Sequence, residues 1–590
     1  MSYRAPMTDM LFMLKHVGEL ERLNQLPGLQ DYRLDLAQSV LEEAARFASG
    51  VLEPINRTGD VNGAQFQSGT VTTPVGWREA YQQFCDHGWL GLTLPDACGG
   101  QGLPEVIATP AKEMWLSANL SFTMLQALAQ GGSEILLALG SEEQKQRYLQ
   151  KMVTGRWSVA MALTEPNAGS DLAALTTRAA PITEGRYRIK GQKIFITYGD
   201  HDLAENIVHL VLARIDGAPA GNKGISLFAV PKYRINEAGQ LSGANDVRCI
   251  GIEDKLGLHG SPTCTMVYGE QDDCVGELIG TENHGLKAMF ILMNEARLST
   301  GLQGVALAEM ARQKAQGYAL ERAQGREPLS GQNPAFIVDH PDVKRLLLTI
   351  QSQVTALRSL AIQIAAAIDE AKALADDPVR SAELKAQVAL LTPVFKAHAT
   401  ETGNRLISDA IQVYGGIGFV EDTGIAQLLR DAKITTLYEG TTGIQAKDLL
   451  FRKIQKDGGK ALEHLLSNIQ SCIEKISHGT LQITVAQPMT DALNQFRAMV
   501  AGVLKNDSDR QYGIHAGATI FLQALGILCG GWQLAKLAAA AGSDSNSNSR
   551  FRENLIAQAE FYCAHIIPMI NSCKLTFEFS ERGLQHYQFT

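Results

Sequence analysis

Apolar residues recur at spacings of three and four through RLDLAQSVLEEAARFASGVLEPIN (33–56) and PEVIATPAKEMWLSANLSF (104–122), a pattern that predicts amphipathic helices. Between them LTLPDACGGQGLP (92–104) is dense in Gly, Pro and Asp and reads as a loop. From Trp157 the character changes. WSVAMALTE (157–165), YRIKGQKIFITYG (187–199), IVHLVLARI (207–215), GISLFAVP (224–231) and TCTMVYGE (263–270) are short runs of β-branched and aromatic residues separated by turn formers. With no helical pattern between them, they predict a compact, barrel-like β-domain of antiparallel type, ending near residue 280. Helical periodicity returns at 285–324 and continues to about Lys453, broken by a polar, Pro-bearing loop after Arg322 (323–341). The last stretch is again helical, interrupted by AAAAGSDSNSNSR (538–550), whose low complexity suggests a mobile connection. The expected architecture is multidomain α+β: a helical domain over 1–155, a β-domain over 156–280, a helical bundle over 281–455 and a helical extension over 456–590.

One uncharged run of 25 residues, Gln511–Ala535, is long enough to span a bilayer. It also holds His515, three glutamines and five glycines, so a buried helix is the expectation, with weak membrane-surface contact as the alternative. The chain has 590 residues with a net charge of −9, which argues against broad nucleic-acid binding. Residues 456–590 carry eleven Lys and Arg against eleven Asp and Glu, so the extension offers no basic surface either. Nine scattered cysteines form no CxxC pair and no disulfide framework, and Asp9 interrupts any apolar leader, so a reduced, cytoplasmic protein is expected.

Three segments bear chemistry. In MALTEPNAGSDL (161–172) a strand runs into a Gly/Ser/Asn turn, where Thr164, Ser170 and the backbone around Gly169 suit an anionic or polyol group. A plain hairpin turn explains the same residues. In GQKIFITYG (191–199) strand alternation sets Phe195 and Thr197 on one face, an aromatic beside a hydroxyl; a half-buried strand would look alike. In QVYGGIGFVEDTGIAQLLRDAKITTLYEGTTGIQAKDLL (412–450), GGIG permits close approach to a ligand or ends a helix, and Glu439 sits at a Gly-flanked break. A Glu beside a Gly is by default a solvated turn residue. No Walker loop, dinucleotide fingerprint, hydrolase elbow or His/Cys metal cluster is evident.

Together with LPDACGGQG, DKLGLHGSPT and YALER, these segments resemble the acyl-CoA dehydrogenase family over about residues 35–450. The N-terminal YRAPMTDMLFML and the extension resemble its longer bacterial branch, which includes 3-methylmercaptopropionyl-CoA dehydrogenases and long-chain enzymes. The resemblance implies FAD-dependent α,β-dehydrogenation of an acyl-CoA, of medium or long chain, to a trans-2-enoyl-CoA in fatty-acid β-oxidation. Glu439 is then the base and electron-transferring flavoprotein the acceptor. It further implies that Met161, Leu163, Thr164, Gly169, Ser170, Phe195, Thr197 and Thr441 line the flavin. Arg322, Gln412, Gly415 and Gly416 reach FAD from a neighbouring subunit of a homodimer. Ser170, Asn294, Arg297, Tyr438, Glu439 and Gly440 contact the substrate, and small residues within 113–134 (Ala118, Ala127, Gly131, Gly132) leave room for its tail.

Departures from the family pattern are Phe195 for Trp, Gly325 for an FAD-stacking Phe and Gly443 for Gln. A rival base position falls on Ala296, with Glu295 about 100° around the helix. An acyl-CoA oxidase and a DNA-binding member of the fold are the competing readings; the neutral extension disfavours the second.

Overall fold

The computed structural model describes residues 2–589 except 237, 477–480, 506–509, 546 and 585. The elements that matter here are, in chain order, α1 (Met7–His16), α2 (Glu105–Ala118), α3 (Leu120–Leu139), β1 (Trp157–Ala162), β2 (Arg178–Thr183), β3 (Arg186–Thr197), β4 (Asn206–Ile215), β5 (Ile225–Pro231), β6 (Val247–Ile252), β7 (Thr263–Tyr268), β8 (Val275–Ile279), α4 (Gly285–Glu321), α5 (Pro341–Ala373), α6 (Pro378–Tyr414), α7 (Thr442–Lys447), α8 (Gln511–Ser543) and α9 (Ser549–His565). The apolar pattern over 104–122 does not give one helix. Asn119 leaves helical geometry and its side chain accepts from the Phe122 N–H, ending α2 and capping α3.

Compactness divides the chain otherwise than its linear order. One unit comprises Arg46–Leu103 and Ala118–Ser299; the other comprises Met1–Ala45, Pro104–Ser117 and Thr300–Thr590. The cut passes through α4.

The first unit holds an eight-stranded sheet in the order β6-β7-β3-β8-β5-β4-β1, with β2 pairing both β3 and β4. Strands β3, β8, β5, β4 and β2 thereby close a ring, from which β7-β6 and β1 branch. The sheet is not purely antiparallel: β4 runs parallel to β1 and to β2. A parallel pair needs a crossover of a dozen or more residues but not a helical one. The loop between β1 and β2 returns the chain to its starting end. Alternation along β4 feeds two cores: Val208, Leu210 and Leu212 pack with Trp157, Leu227 and Leu292, while Ile207, Val211 and Ala213 pack with Ile189, Phe228 and Met266.

The second unit is helical. Helices α4 and α6 cross where Gly304 and Gly403 face each other; a Cβ on Gly403 would stand 2.5 Å from the Gly304 carbonyl oxygen, so only glycine permits this approach. Arg358 of α5 is completely enclosed and donates to Glu113 of α2 at 2.5–3.0 Å and to Glu309 of α4 at 3.0 Å. Burial pushes the Glu113 carboxyl above its ordinary value. Burial acts on Glu309 too, but Arg312 and Arg358 outweigh it and hold that carboxyl at about 2.

The uncharged run 511–535 lies in α8, and 72% of that helix's most apolar window is buried. Gln533 accepts from the Ser359 hydroxyl at 2.9 Å and the Ile527 carbonyl accepts from the Tyr562 hydroxyl at 3.1 Å, as befits a core helix. The Ser/Asn tract is shorter as a connection than its composition suggests. Helix α8 continues to Ser543, and α9 begins at Ser549 with Asn548 as its cap. Asp544, buried between them, pairs with Lys15 and His16 of α1 at 3.5 and 3.2 Å. Residue 546 lies outside the described residues.

Candidate active site

The two sequence segments 161–170 and 191–199 are joined in the β-unit. The Ile194 N–H donates to the Thr164 carbonyl at 2.9 Å, and a tight turn is closed by reciprocal bonds between Glu165 and Ala168, each 3.0 Å. That turn presents Gly169 and Ser170 to solvent, with Met161, Leu163 and Thr164 half-buried behind them. On β3 the pairing with β7 slips: Cys264 faces Ile196, but Met266 faces Lys193. The extra residue makes a bulge. Phe195 occupies it at φ 59, the left-handed region that a bulky side chain rarely adopts. The bulge lets Lys193 point into the core while Phe195, two residues on, is 59% exposed. Thr197 is half-buried, with Ile196 buried between it and Phe195, so the two share a face as expected from alternation. An exposed aromatic ring, two threonine hydroxyls and a Gly-Ser turn fit the apolar ring and polar edge of a flavin.

Sequence reading passed over the group that holds these segments together. Glu165, buried, accepts from the backbone N–H and hydroxyl of Thr176 (2.6 and 2.7 Å), from those of Thr177 (3.0 and 2.5 Å), and from Lys193 (2.8 Å). Lys193 also donates to the Leu163 carbonyl at 3.0 Å. Burial alone would raise the Glu165 carboxyl, but the Lys193 ammonium and the threonine hydroxyls hold it at about 2. Burial lowers Lys193 to about 8. Because the Glu165 value is depressed, its contribution to stability is fully present above the ordinary carboxylate range and is lost as the pH falls toward 2. Glu165→Gln is expected to lower stability by about 1–3 kcal/mol and to weaken retention of FAD, because the Thr164 and Phe195 backbones lose a common anchor. A thermal melt and the flavin content after gel filtration check this; unchanged flavin content would refute it.

In the helical unit the third segment forms a break between the 3-10 turn Ile434–Thr436 and α7. Glu439 lies in it at φ 55 and Gly440 at φ 91, two consecutive left-handed residues. Thr441 caps α7, accepting from the Ile444 N–H at 3.4 Å. Gln445 donates to the Glu439 and Gly440 carbonyls at 3.0 and 3.2 Å, and the Lys396 ammonium donates to the Gly440 carbonyl at 2.8 Å. Lys396 and Gln445 are wholly buried, whereas Tyr438, Glu439, Gly440 and Thr441 are half-buried. The Tyr438 hydroxyl donates to Gln303 of α4. A non-glycine residue kept in left-handed backbone by buried donors is the kind of strain that marks functional positions.

The other expected residues are placed as follows. Arg322, Gln412, Gly415 and Gly416 are exposed; Arg322 donates to Gln324 at 3.3 Å. Asn294 is exposed on α4, Arg297 is buried and Glu295 half-buried. Gly131 and Gly132 do not open a space: added Cβ atoms would meet Leu292 and Val159 at 2.6 Å, so these small residues serve packing of α3.

Comparison with known proteins identifies the family. The N-terminal, middle and C-terminal domain families of acyl-CoA dehydrogenases match residues 35–156, 160–270 and 283–453, and an acetyl-CoA dehydrogenase C-terminal-like family matches 465–579. The chain is 40% identical over 572 residues to a 3-methylmercaptopropionyl-CoA dehydrogenase of Ruegeria pomeroyi, covering 96% of each. It is 33% identical to the broad-specificity linear acyl-CoA dehydrogenase FadE5 of Mycobacterium tuberculosis, covering 98% of this chain and 97% of that one. The fold matches an acyl-CoA dehydrogenase complexed with FAD from Bacillus anthracis with a TM-score of 0.75 at 20% identity, over 95% of this chain and 91% of that one. A chain matched by family domains across most of its length, with an aromatic wall on one unit and an anchored glutamate on the other, belongs to the FAD-dependent acyl-CoA dehydrogenase family.

Proposed function

We propose that this acyl-CoA dehydrogenase oxidises linear acyl-CoA thioesters of medium length in fatty-acid degradation, with Glu439 removing the α-proton. The supporting observation is the fixed left-handed geometry of Glu439 and Gly440, which holds a carboxylate at a Gly-flanked break rather than leaving it on a solvated turn. An α-proton beside a thioester is weakly acidic, so the base must be held against the carbon it deprotonates. When bound, FAD supplies the two-electron acceptor for the hydrogen leaving the β-carbon. On the protein side, Phe195 offers an apolar wall, and the Thr164 and Thr197 hydroxyls and the Gly169–Ser170 turn offer polar contacts at its edge. Electron-transferring flavoprotein is proposed as the onward acceptor.

Packing of Gly131 and Gly132 by Leu292 and Val159 removes one argument for a very long acyl tail. The 40% identity to a 3-methylmercaptopropionyl-CoA dehydrogenase favours a second reading in which that thioether substrate is preferred. The two overlap chemically, since replacing a methylene by sulfur leaves the α and β carbons unchanged. Anaerobic bleaching of the FAD-loaded protein with butyryl-, octanoyl-, palmitoyl- and 3-methylmercaptopropionyl-CoA separates them. Fastest bleaching by octanoyl-CoA is expected; fastest bleaching by the thioether ester would establish the second reading, and bleaching by none would refute both. Under air, peroxide formed at the turnover rate would indicate an oxidase.

A further inference from the structure

Lys396 and Gln445 are more than filler beneath the catalytic break. Lys396 belongs to the middle of α6, 44 residues from the carbonyl it meets. The stretch of α6 that carries it lies against α4, where an added Cβ on Gly301 would stand 3.3 Å from the Lys396 Cα. Its ammonium holds the Gly440 carbonyl, while the Gln445 amide holds that carbonyl and the one before it. In a trans peptide the C=O and the following N–H point in opposite directions. Fixing these two carbonyls inward therefore turns the Gly440 and Thr441 N–H groups outward.

Gln445 carries a second mark. Among the described residues its buried Oε1 has no hydrogen-bond partner, although its amide nitrogen has two. An orphaned buried acceptor costs about 1–3 kcal/mol, so an apolar side chain of similar size would be tolerated or preferred if packing were the only demand. An added Cβ on Gly440 would lie 2.7 Å from the Gln445 nitrogen, so the amide is seated directly against the strained backbone.

We infer that Lys396 and Gln445 are positioning residues that set the direction of the Glu439 carboxylate by clamping the carbonyls on its C-terminal side. This rests on Glu439 being the base. Both side chains act through the backbone and are kept for reaction geometry rather than stability.

The test is anaerobic stopped-flow reduction of FAD-loaded full-length protein by octanoyl-CoA. Wild type, Glu439→Gln, Lys396→Met and Gln445→Met are compared for limiting rate, octanoyl-CoA affinity and melting temperature. For Gln445→Met the expected result is a limiting rate lower by about 10²-fold, the size of effect that a misplacement near 1 Å produces. Affinity should stay near wild type, with only a modest drop in melting temperature from the two donated hydrogen bonds lost. Lys396→Met should lose rate in the same way with a lower melting temperature, and if it does not fold, Gln445→Met carries the test. A wild-type limiting rate in Gln445→Met would overturn the inference, as would parallel losses of rate, affinity and melting temperature in Gln445→Met, which would mark a purely structural role. Bleaching of Glu439→Gln at the wild-type rate would remove the base itself and the inference with it, a failure distinguishable because it appears without touching either clamp residue.

Discussion

Replacing Glu439 by Gln is expected to leave a yellow, FAD-bound protein that no acyl-CoA bleaches. The substitution exchanges a carboxylate for an amide of the same shape. The buried Gln445 and Lys396 hold backbone carbonyls that the substitution leaves in place, so the break itself should persist. What disappears is the basic oxygen. General-base action alone contributes about 10²–10⁴-fold, and a larger loss is expected where no other group can take the proton. The limiting rate of anaerobic reduction measures this. Substantial residual bleaching would move the base to Glu295, which is half-buried on α4, and Glu295→Gln would then have to abolish it.

The second large effect lies far from the chemistry. Arg358→Met should destabilise the protein by about 3–5 kcal/mol, because the carboxylates of Glu113 and Glu309 are left in the core with less compensating charge. Glu309 keeps Arg312 and Gln313; Glu113 loses the guanidinium that contacts it three times. Burial already raises the Glu113 carboxyl, and the substitution raises it further. A carboxyl whose folded value is raised favours the folded state at low pH and loses that contribution as the pH climbs through the folded value. The deficit in melting temperature should therefore be larger at pH 8 than at pH 5. An equal deficit at both would mean that lost packing, not uncompensated charge, sets the cost.

Where local pattern determines structure, the sequence was a good guide. The five β-rich runs each became strands, and the Gly-flanked break at Glu439 was visible because glycine and a helix cap bracket it. Long-range pairings were not visible. Nothing near Lys193 announces that its partner is Glu165, and nothing near Lys396 points to a carbonyl 44 residues later. Alternation along β3 correctly put Phe195 and Thr197 together, but it would also have put Lys193 with them. Only the register slip against β7 explains why it does not. The antiparallel expectation holds for six of the sheet's eight strand pairings and breaks at β4, because a long loop, not a helix, carries the crossover to β2. Low complexity overstates the length of the Ser/Asn connection, because Ala538–Ser543 continue helix α8 and Asp544 is anchored by Lys15 and His16.

The attachment of α1 to the far end of the chain has a consequence for synthesis. Phe12 meets Phe551 with ring centroids 5.3 Å apart, and Lys15 pairs with Asp544, 529 residues downstream. At translation rates of about 5–20 residues per second, the first helix leaves the ribosome roughly half a minute to two minutes before its partners exist. Through that interval Met10, Phe12, Met13 and Leu14, all buried in the finished protein, can pack against α5 but lack the cover that α8 and α9 supply. Helix α1 is thus made long before its cover is complete. A nascent chain stalled before α8 should be a client for chaperones that recognise short apolar helices.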